Sequence, residues 1–315
     1  MSVYKFFDLA PVLREMREEV LEGLSAPQKS LSPKFFYDEH GSQLFDEITR
    51  LPEYYPTRTE TELFETHSEK IASHFTGAVT LLEYGSGSSR KIRALLEGMK
   101  PAAYVPLDIS GEHLETSAKT LQADYDWLDI YAVCADYSQS IVLPPEIPLN
   151  QPMAFFPGSS IGNFAPDQAA EFLGRVRSLV GSGGKLLIGV DRKKDKAVLE
   201  SAYNDAAGVT AAFNLNVLTH LNRELSGDFD ITKFAHRAIY NDQVGSIQMY
   251  LESKVAQRVE LGGQTIEFAA SEEIHTENSY KYHPEEFEAL AAQAGWQSEL
   301  HLTDADDYFS VFLLA

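Results

Sequence analysis

From residue 79 onward the chain alternates short apolar runs with amphipathic stretches, the pattern of parallel βαβ units. The apolar runs predict strands over 79–84, 103–107, 130–134, 153–157 and 185–190, with closing strands over 297–302 and 308–314. The amphipathic stretches between them predict helices, most clearly over 110–125 and 166–180. Five strand–helix units followed by two terminal strands describe a doubly wound sheet with a C-terminal hairpin.

Two regions break this alternation. Residues 8–30 predict an amphipathic helix ending near Pro27, and 36–78 predict helix with breaks at Gly41 and between Pro52 and Pro56. Further on, 194–225 predict a long helical region. Hairpin turns follow at 241–245 and 262–263, inside a block, 234–270, whose apolar and polar residues alternate as in a half-exposed antiparallel sheet. A last helix opens at Pro284 and stops at Gly295. The expected organisation is an α/β core over 61–195 and 286–315, with a substrate lobe inserted at 196–285 and an N-terminal helical segment, 1–60, contributing to that lobe.

Composition narrows the class. A chain of 315 residues, 44% hydrophobic and 23% charged, can bury a full core in two lobes. No run approaches about 18 consecutive apolar residues, so no membrane span is expected. The first twenty residues are too charged for a secretory signal, and the single cysteine, Cys134, suits a reducing compartment; a cytoplasmic monomer is expected. Nine scattered histidines without paired Cys/His spacing predict no metal. A formal charge of −21 argues against nucleic acid, whose binding depends on Lys and Arg neutralising phosphates. A small-molecule enzyme remains.

The strand over 79–84 stops in a glycine turn, Gly85-Ser-Gly87-Ser-Ser89, followed by a helical stretch from Lys91. That arrangement sets backbone N–H groups and a helix N-terminus beside an adenosine-type ligand. Asp108 ends the next strand, where a carboxylate can grip ribose hydroxyls. Asp136 and Tyr137 follow the third strand, suited to an adenine amino group and the face of its base. The dinucleotide fingerprint needs a third glycine where Arg90 stands, so the methyl donor S-adenosylmethionine fits better than NAD. Taken singly, the glycines could be plain turn residues, Asp108 a helix cap and Asp136 a solvated loop acid.

After the fourth strand, Gly158 and Gly162 bracket a loop ending in Asn163, at the sheet edge where open α/β folds bind ligands. Asn163 carries a donor and an acceptor for an amino acid's polar head, or caps the helix that begins at Pro166. Here the chain resembles the SAM-dependent histidine Nα-methyltransferases of ergothioneine biosynthesis. The resemblance runs from about residue 30 to the C-terminus in separated blocks, among them 36–46, 51–58, Gly158-Ser-Ser-Ile-Gly-Asn163, Ala202-Tyr203, 208–211, Phe213-Asn214, 222–224 and Thr276-Glu-Asn-Ser279. Ser160 stands where members of that family often carry threonine.

The resemblance implies a Rossmann-like class I SAM-dependent methyltransferase core with a second α+β substrate-binding lobe. It implies trimethylation of the α-amine of L-histidine, releasing S-adenosylhomocysteine at each step. Gly85, Gly87, Lys91, Asp108, Asp136, Tyr137 and Gly158 would line the donor site. Asn163 and Tyr203 would hold the amino acid head; Tyr54, Glu277 and Ser279 would read the imidazole, with backbone from Asn278; Tyr37 and Met249 match positions near the substrate. Chemistry agrees for the imidazole, since a carboxylate accepts a ring N–H and a hydroxyl can do either. On residues alone, Thr276, Glu277 and Ser279 read as decoration of a strand or turn, and Phe45 and Phe213 as core packing before a face for the methylated cation. The rival readings are the same chemistry on another amino acid or amine, an NAD-dependent oxidoreductase, and a non-catalytic ligand sensor.

Overall fold

The computed structural model describes residues 2–9, 13–87 and 90–315. Strand β1 (Tyr4–Asp8) precedes helices α1 (Leu13–Ser25), α2 (Glu39–Ile48) and α3 (Tyr55–Ala72). Next come β2 (Thr80–Tyr84), α4 (Arg90–Met99), β3 (Ala103–Asp108), α5 (Gly111–Asp124), β4 (Asp129–Cys134), β5 (Pro152–Phe156), α6 (Pro166–Val180) and β6 (Lys185–Asp191). Helices α7 (Lys196–Tyr203) and α8 (Val209–Leu225) lead into β7 (Phe234–Asn241), β8 (Ser246–Ser253), β9 (Gln257–Leu261), β10 (Gln264–Phe268) and β11 (Glu273–Tyr280). Helix α9 (Pro284–Gln293) and strands β12 (Ser298–Thr303) and β13 (Phe309–Leu314) close the chain. The whole divides into two compact units, Met1–Ala10 with Tyr55–Lys193 and Tyr280–Ala315, and Pro11–Tyr54 with Lys194–Ser279.

The first unit is built on one eight-stranded sheet, ordered β1-β4-β3-β2-β5-β6-β13-β12. Strands β1 to β6 pair in parallel, and β13 and β12 close the edge antiparallel. Every residue of β2, β3 and β13 is buried, as expected of strands covered on both faces. Leu82, Val105, Phe156 and Ile188 pack on one face with Phe172 of α6 and Phe287 of α9. Leu81, Tyr104, Phe155 and Leu187 pack on the other with Phe64 of α3 and Leu95 of α4. Trp296, 1% exposed, is fixed by its indole N–H to the Leu173 carbonyl at 2.9 Å. Helices α6 and α9 each begin with proline in the first turn, where no N–H is required.

The start of the chain departs from the helical expectation. Residues before α1 form β1, an edge strand pairing in parallel with β4 from Tyr4↔Ile130 to Asp8↔Cys134. Lys5 and Asp8 interrupt its apolar pattern, as charges on edge strands commonly do, and so hid it.

In the second unit, β7 and β8 pair antiparallel up to Asn241↔Ser246, and β9 and β10 up to Leu261↔Gln264, so both predicted hairpin turns are present. The three-stranded sheet runs β11-β8-β7. The region over 194–225 is two helices rather than one. Asp195 caps α7 through the N–H groups of Ala197 and Val198; Gly208, at φ +76°, ends the link, and Asp205 accepts from Val209 N and Thr210 N at the start of α8. Gly41 is no break either. It lies inside α2, whose cap Asp38 accepts its N–H at 2.8 Å, and a Cβ there would fall 1.7 Å from the Phe36 carbonyl oxygen.

Candidate active site

The first unit gathers one set of predicted residues at the carboxyl ends of adjacent strands. Gly85 and Ser86 leave β2 with their N–H groups on the Leu107 carbonyl of β3, at 2.8 and 3.2 Å. Gly85 and Gly87 both have positive φ, +71° and +47°, which only glycine adopts without strain. Asp108, at the end of β3, accepts from Gly87 N and Ser110 N, both at 3.0 Å, so its carboxylate straps the turn to the next loop. Burial holds the Asp108 carboxyl above the usual range, and those N–H groups offset only part of the rise. Asp136 follows β4 and accepts the N–H and hydroxyl of Ser138 through one oxygen. The Tyr137 ring meets Tyr84 and Phe156 edge-on, and a Cβ on Gly85 would come 3.4 Å from its hydroxyl. Ser88, Ser89 and the Arg90 side chain lie outside the described residues.

Beside the turn, among the described residues, the buried Ser86 hydroxyl has no hydrogen-bond partner and none of them lies within 4 Å of a Cβ built on Gly87. A carboxylate has about four lone-pair sites, of which the two backbone bonds occupy part of the set on Asp108. The Ser86 hydroxyl, left without a partner among the described residues, and the strand-end carboxylate of Asp108 fit a ligand rich in hydroxyls.

Sequence reasoning missed the group that ties this region together. Glu60, on α3, is fully buried, pairs with Lys91 Nζ at 2.6 Å, and accepts the Gly158 N–H on both carboxylate oxygens at 2.9 Å. Gly189 of β6 makes room for it, since a Cβ there would lie 1.8 Å from Glu60 Oε1. No motif marks Glu60, because its partners lie 31, 98 and 129 positions away in unrelated elements. Glu83, on β2, is 2% exposed and takes the Tyr104 hydroxyl; burial pushes its carboxyl up to about 8. At the end of β6, buried Asp191 pairs with buried Lys281 at 2.7 Å and accepts the Tyr55 hydroxyl, while its N–H donates to Ser159 Oγ in the loop after β5.

Asn163 ends the short 3-10 turn of that loop and does not cap α6, whose N-cap is Ala165. It is the one predicted substrate residue in the first unit.

The others lie in the second unit. Tyr203, at the end of α7, donates its hydroxyl to Ser279 Oγ at 2.8 Å. Glu277 and Ser279 are two apart on β11, hence on one face, and are 8% and 3% exposed. Thr276, on the opposite face, donates to Asn214 Oδ1 at 2.8 Å, and Asn278 Oδ1 lies 3.2 Å from His275 Nε2. Tyr54 meets Tyr203 edge-on at 6.2 Å and Phe45 at 6.3 Å. Tyr37 meets Phe45 and Phe213, each at 5.7 Å between ring centroids, so these rings form one aromatic cluster. Met249 is 1% exposed on β8, opposite Ala238. Among the described residues no group of three or more His, Cys, Asp or Glu could hold a metal ion, and no helix is long and apolar enough to cross a membrane.

Comparison with known proteins fixes the family. A family profile described as histidine-specific methyltransferase, SAM-dependent, matches residues 16–315. The histidine N-alpha-methyltransferase of Mycolicibacterium smegmatis is 43% identical over 99% of this chain and 98% of its own length. That of Mycobacterium tuberculosis is 42% identical over 95% and 94%. Ergothioneine biosynthesis protein 1 of Neurospora crassa is 32% identical over 89% of this chain, which spans 32% of that longer protein. The mostly parallel sheet with added antiparallel sheets is the class I methyltransferase architecture anticipated from the sequence. The chain belongs to the SAM-dependent, histidine-specific methyltransferase family.

Proposed function

We propose that this protein transfers three methyl groups from S-adenosylmethionine to the α-amino group of L-histidine, giving trimethylhistidine (hercynine) for ergothioneine biosynthesis. The observation that carries the choice of histidine is the buried pair Glu277 and Ser279 on one face of β11, with Tyr203 bonded to Ser279. A carboxylate and a hydroxyl suit the two ring nitrogens of an imidazole, and an apolar side chain would offer neither of them a hydrogen bond. Near-full-length likeness to the two mycobacterial histidine N-alpha-methyltransferases supports the same reading.

In this reading Gly85, Gly87, Lys91, Asp108, Asp136, Tyr137 and Gly158 hold the donor. Bound there, S-adenosylmethionine supplies a methyl group already activated on a sulfonium sulfur, so no metal is required. Asn163 and Tyr203 hold the amino acid head group, with Tyr37 and Met249 beside the substrate. Tyr54, Glu277, Ser279 and the Asn278 backbone read the ring. The α-amine attacks only after its ammonium has lost a proton. Neutral amide and hydroxyl contacts leave that loss easier than an Asp–ammonium pair would, since such a pair stabilises the charged form. They also tolerate the disappearance of N–H donors as methyl groups accumulate. Orientation is then the protein's main contribution, with nitrogen held about 3–3.5 Å from the reacting carbon.

Mass spectrometry of the purified protein with S-adenosylmethionine and a pool of amino acids tests the proposal. Histidine gaining three methyl groups is the expected result. Methylation of another amino acid with histidine untouched would replace the substrate assignment and leave the reaction class standing.

A further inference from the structure

The hydrogen bonds of the second unit lead to a side chain that no motif marks. The His236 ring, on β7, lies between Asn214 of α8 and the Tyr203 carbonyl at the end of α7. Its Nε2 is 2.9 Å from that carbonyl oxygen, which can only accept, so Nε2 carries the hydrogen. Its Nδ1 is 2.8 Å from Asn214 Nδ2, which can only donate, so Nδ1 accepts. The Asn214 amide is oriented independently of the histidine. Its Nδ2 also donates to the Tyr250 carbonyl at 3.0 Å, and its Oδ1 accepts the Thr276 hydroxyl at 2.8 Å. Both neighbours therefore demand one tautomer of a neutral ring, and burial of His236 favours that neutral form.

These bonds run Thr276–Asn214–His236–Tyr203, and the Tyr203 hydroxyl returns to Ser279 on the strand that carries Thr276. The result is a closed circuit joining the end of α7 to β11 through α8 and β7. Asn214 is fully buried and Thr276 is 1% exposed, so water cannot substitute for the bonds they make. Tyr203 is thus gripped twice, by its carbonyl and by its hydroxyl. The two grips fix where its side chain stands relative to Ser279 and to Glu277 between Thr276 and Ser279.

We propose that His236 is a positioning residue for histidine recognition, holding Tyr203 in register with the Glu277–Ser279 face through its fixed tautomer and its bond from Asn214. This rests on the assignment of Tyr203 and Ser279 to the substrate site. It makes no claim on donor binding, because the circuit lies wholly in the second unit.

The test is calorimetric binding of L-histidine to the full chain saturated with S-adenosylhomocysteine, beside binding of S-adenosylhomocysteine alone. Tyr203→Phe, His236→Phe and His236→Gln are compared with the unaltered protein. Phenylalanine fills the ring's space without polar atoms, whereas glutamine brings back a donor and an acceptor. The expected result for His236→Phe is histidine affinity weakened about tenfold or more, equal to about 1.4 kcal/mol, with the affinity for S-adenosylhomocysteine changed less than twofold. His236→Gln should recover at least part of the loss. The positioning role is overturned if Phe and Gln variants bind histidine alike, or if His236→Phe weakens both ligands equally. If Tyr203→Phe leaves histidine binding unchanged, the substrate-site assignment itself fails, a result distinct from either of those.

Discussion

The two units build their sites from different materials. In the first, the candidate donor site is made by main chain: strand ends, positive-φ glycines and carboxylates that accept backbone N–H groups, as Asp108 does from Gly87 and Ser110. In the second, the candidate substrate site is made by side chains bonded to side chains, as in Tyr203 to Ser279 and Thr276 to Asn214. A main-chain site tolerates many sequences but depends on a few small residues. A side-chain site is specific to each partner and loses its geometry one bond at a time.

The contrast is broken most severely at Glu60, where the first unit relies on a side chain after all. Glu60→Ala would leave Lys91, 17% exposed, without its carboxylate and would free the Gly158 N–H. Removing one partner of a buried pair costs about 3–5 kcal/mol. Denaturant unfolding should show a loss of this size, and affinity for S-adenosylhomocysteine should fall with it. Glu60→Gln keeps an oxygen for Gly158 N and should retain more stability than Ala. Equal stability of Gln and the unaltered protein would mean that the ion pair to Lys91 contributes nothing.

Next in size are two substitutions that should separate the sites. Glu277→Ala, in the second unit, is expected to lower kcat/KM for histidine by about a hundredfold or more, the scale set by leaving a buried polar partner unpaired. Its affinity for S-adenosylhomocysteine should be unchanged. Asn163→Ala, in the first unit, should depress turnover of histidine and of any weaker amino acid substrate by the same factor, because a head-group contact is blind to the side chain. A larger loss for histidine than for the others would place Asn163 at the ring instead. Steady-state kinetics on histidine and one poorer substrate decides between them.

The same contrast explains what could be read from the sequence. The donor side is written locally: Gly85 and Gly87 follow β2 directly, and Asp108 ends the next strand, so apolar runs and their terminators suffice. The hairpins of the second unit are equally local, and their turns at 241–245 and 262–263 were visible. Edge strand β1 was not, since Lys5 and Asp8 blur its alternation and its partner β4 lies more than a hundred residues on. The long helix over 194–225 concealed its own break, although Asp195, Asp205 and Gly208 were each legible as start and stop signals. Glu60, Asn214 and His236 carried no local signal at all. Their meaning comes only from partners that folding brings to them, and Asn214 stands out in the sequence only within a block shared with the family.

The smallest effect expected concerns pH, where Glu83 of the first unit leans one way and the buried histidines, His301 of the first unit included, lean the other. Glu83 in the first unit is pushed up to about 8 from an ordinary 4.5, so between those values the folded unit keeps a proton that the unfolded chain releases. Its contribution to stability therefore falls as pH rises through that window. His236 and His275 in the second unit are lowered from 6.5 by burial, so the folded unit stays neutral where the unfolded chain takes up protons. Their contribution falls as pH drops below 6.5. Hydrogen exchange, corrected for the intrinsic pH dependence of amide exchange, can follow each unit separately through β2 and β3 on one side and β7 and β8 on the other. From pH 7 to 8, protection should decline in β2 and β3 first, and Glu83→Gln should remove that decline. From pH 6.5 to 5.5, protection should decline in β7 and β8, and His236→Gln should reduce that loss by about 1 kcal/mol or less, one ionising group among several. Decline of β7 and β8 alongside β2 and β3 between pH 7 and 8 would show that the two units unfold as a single cooperative body, because the buried histidines lose nothing in that window.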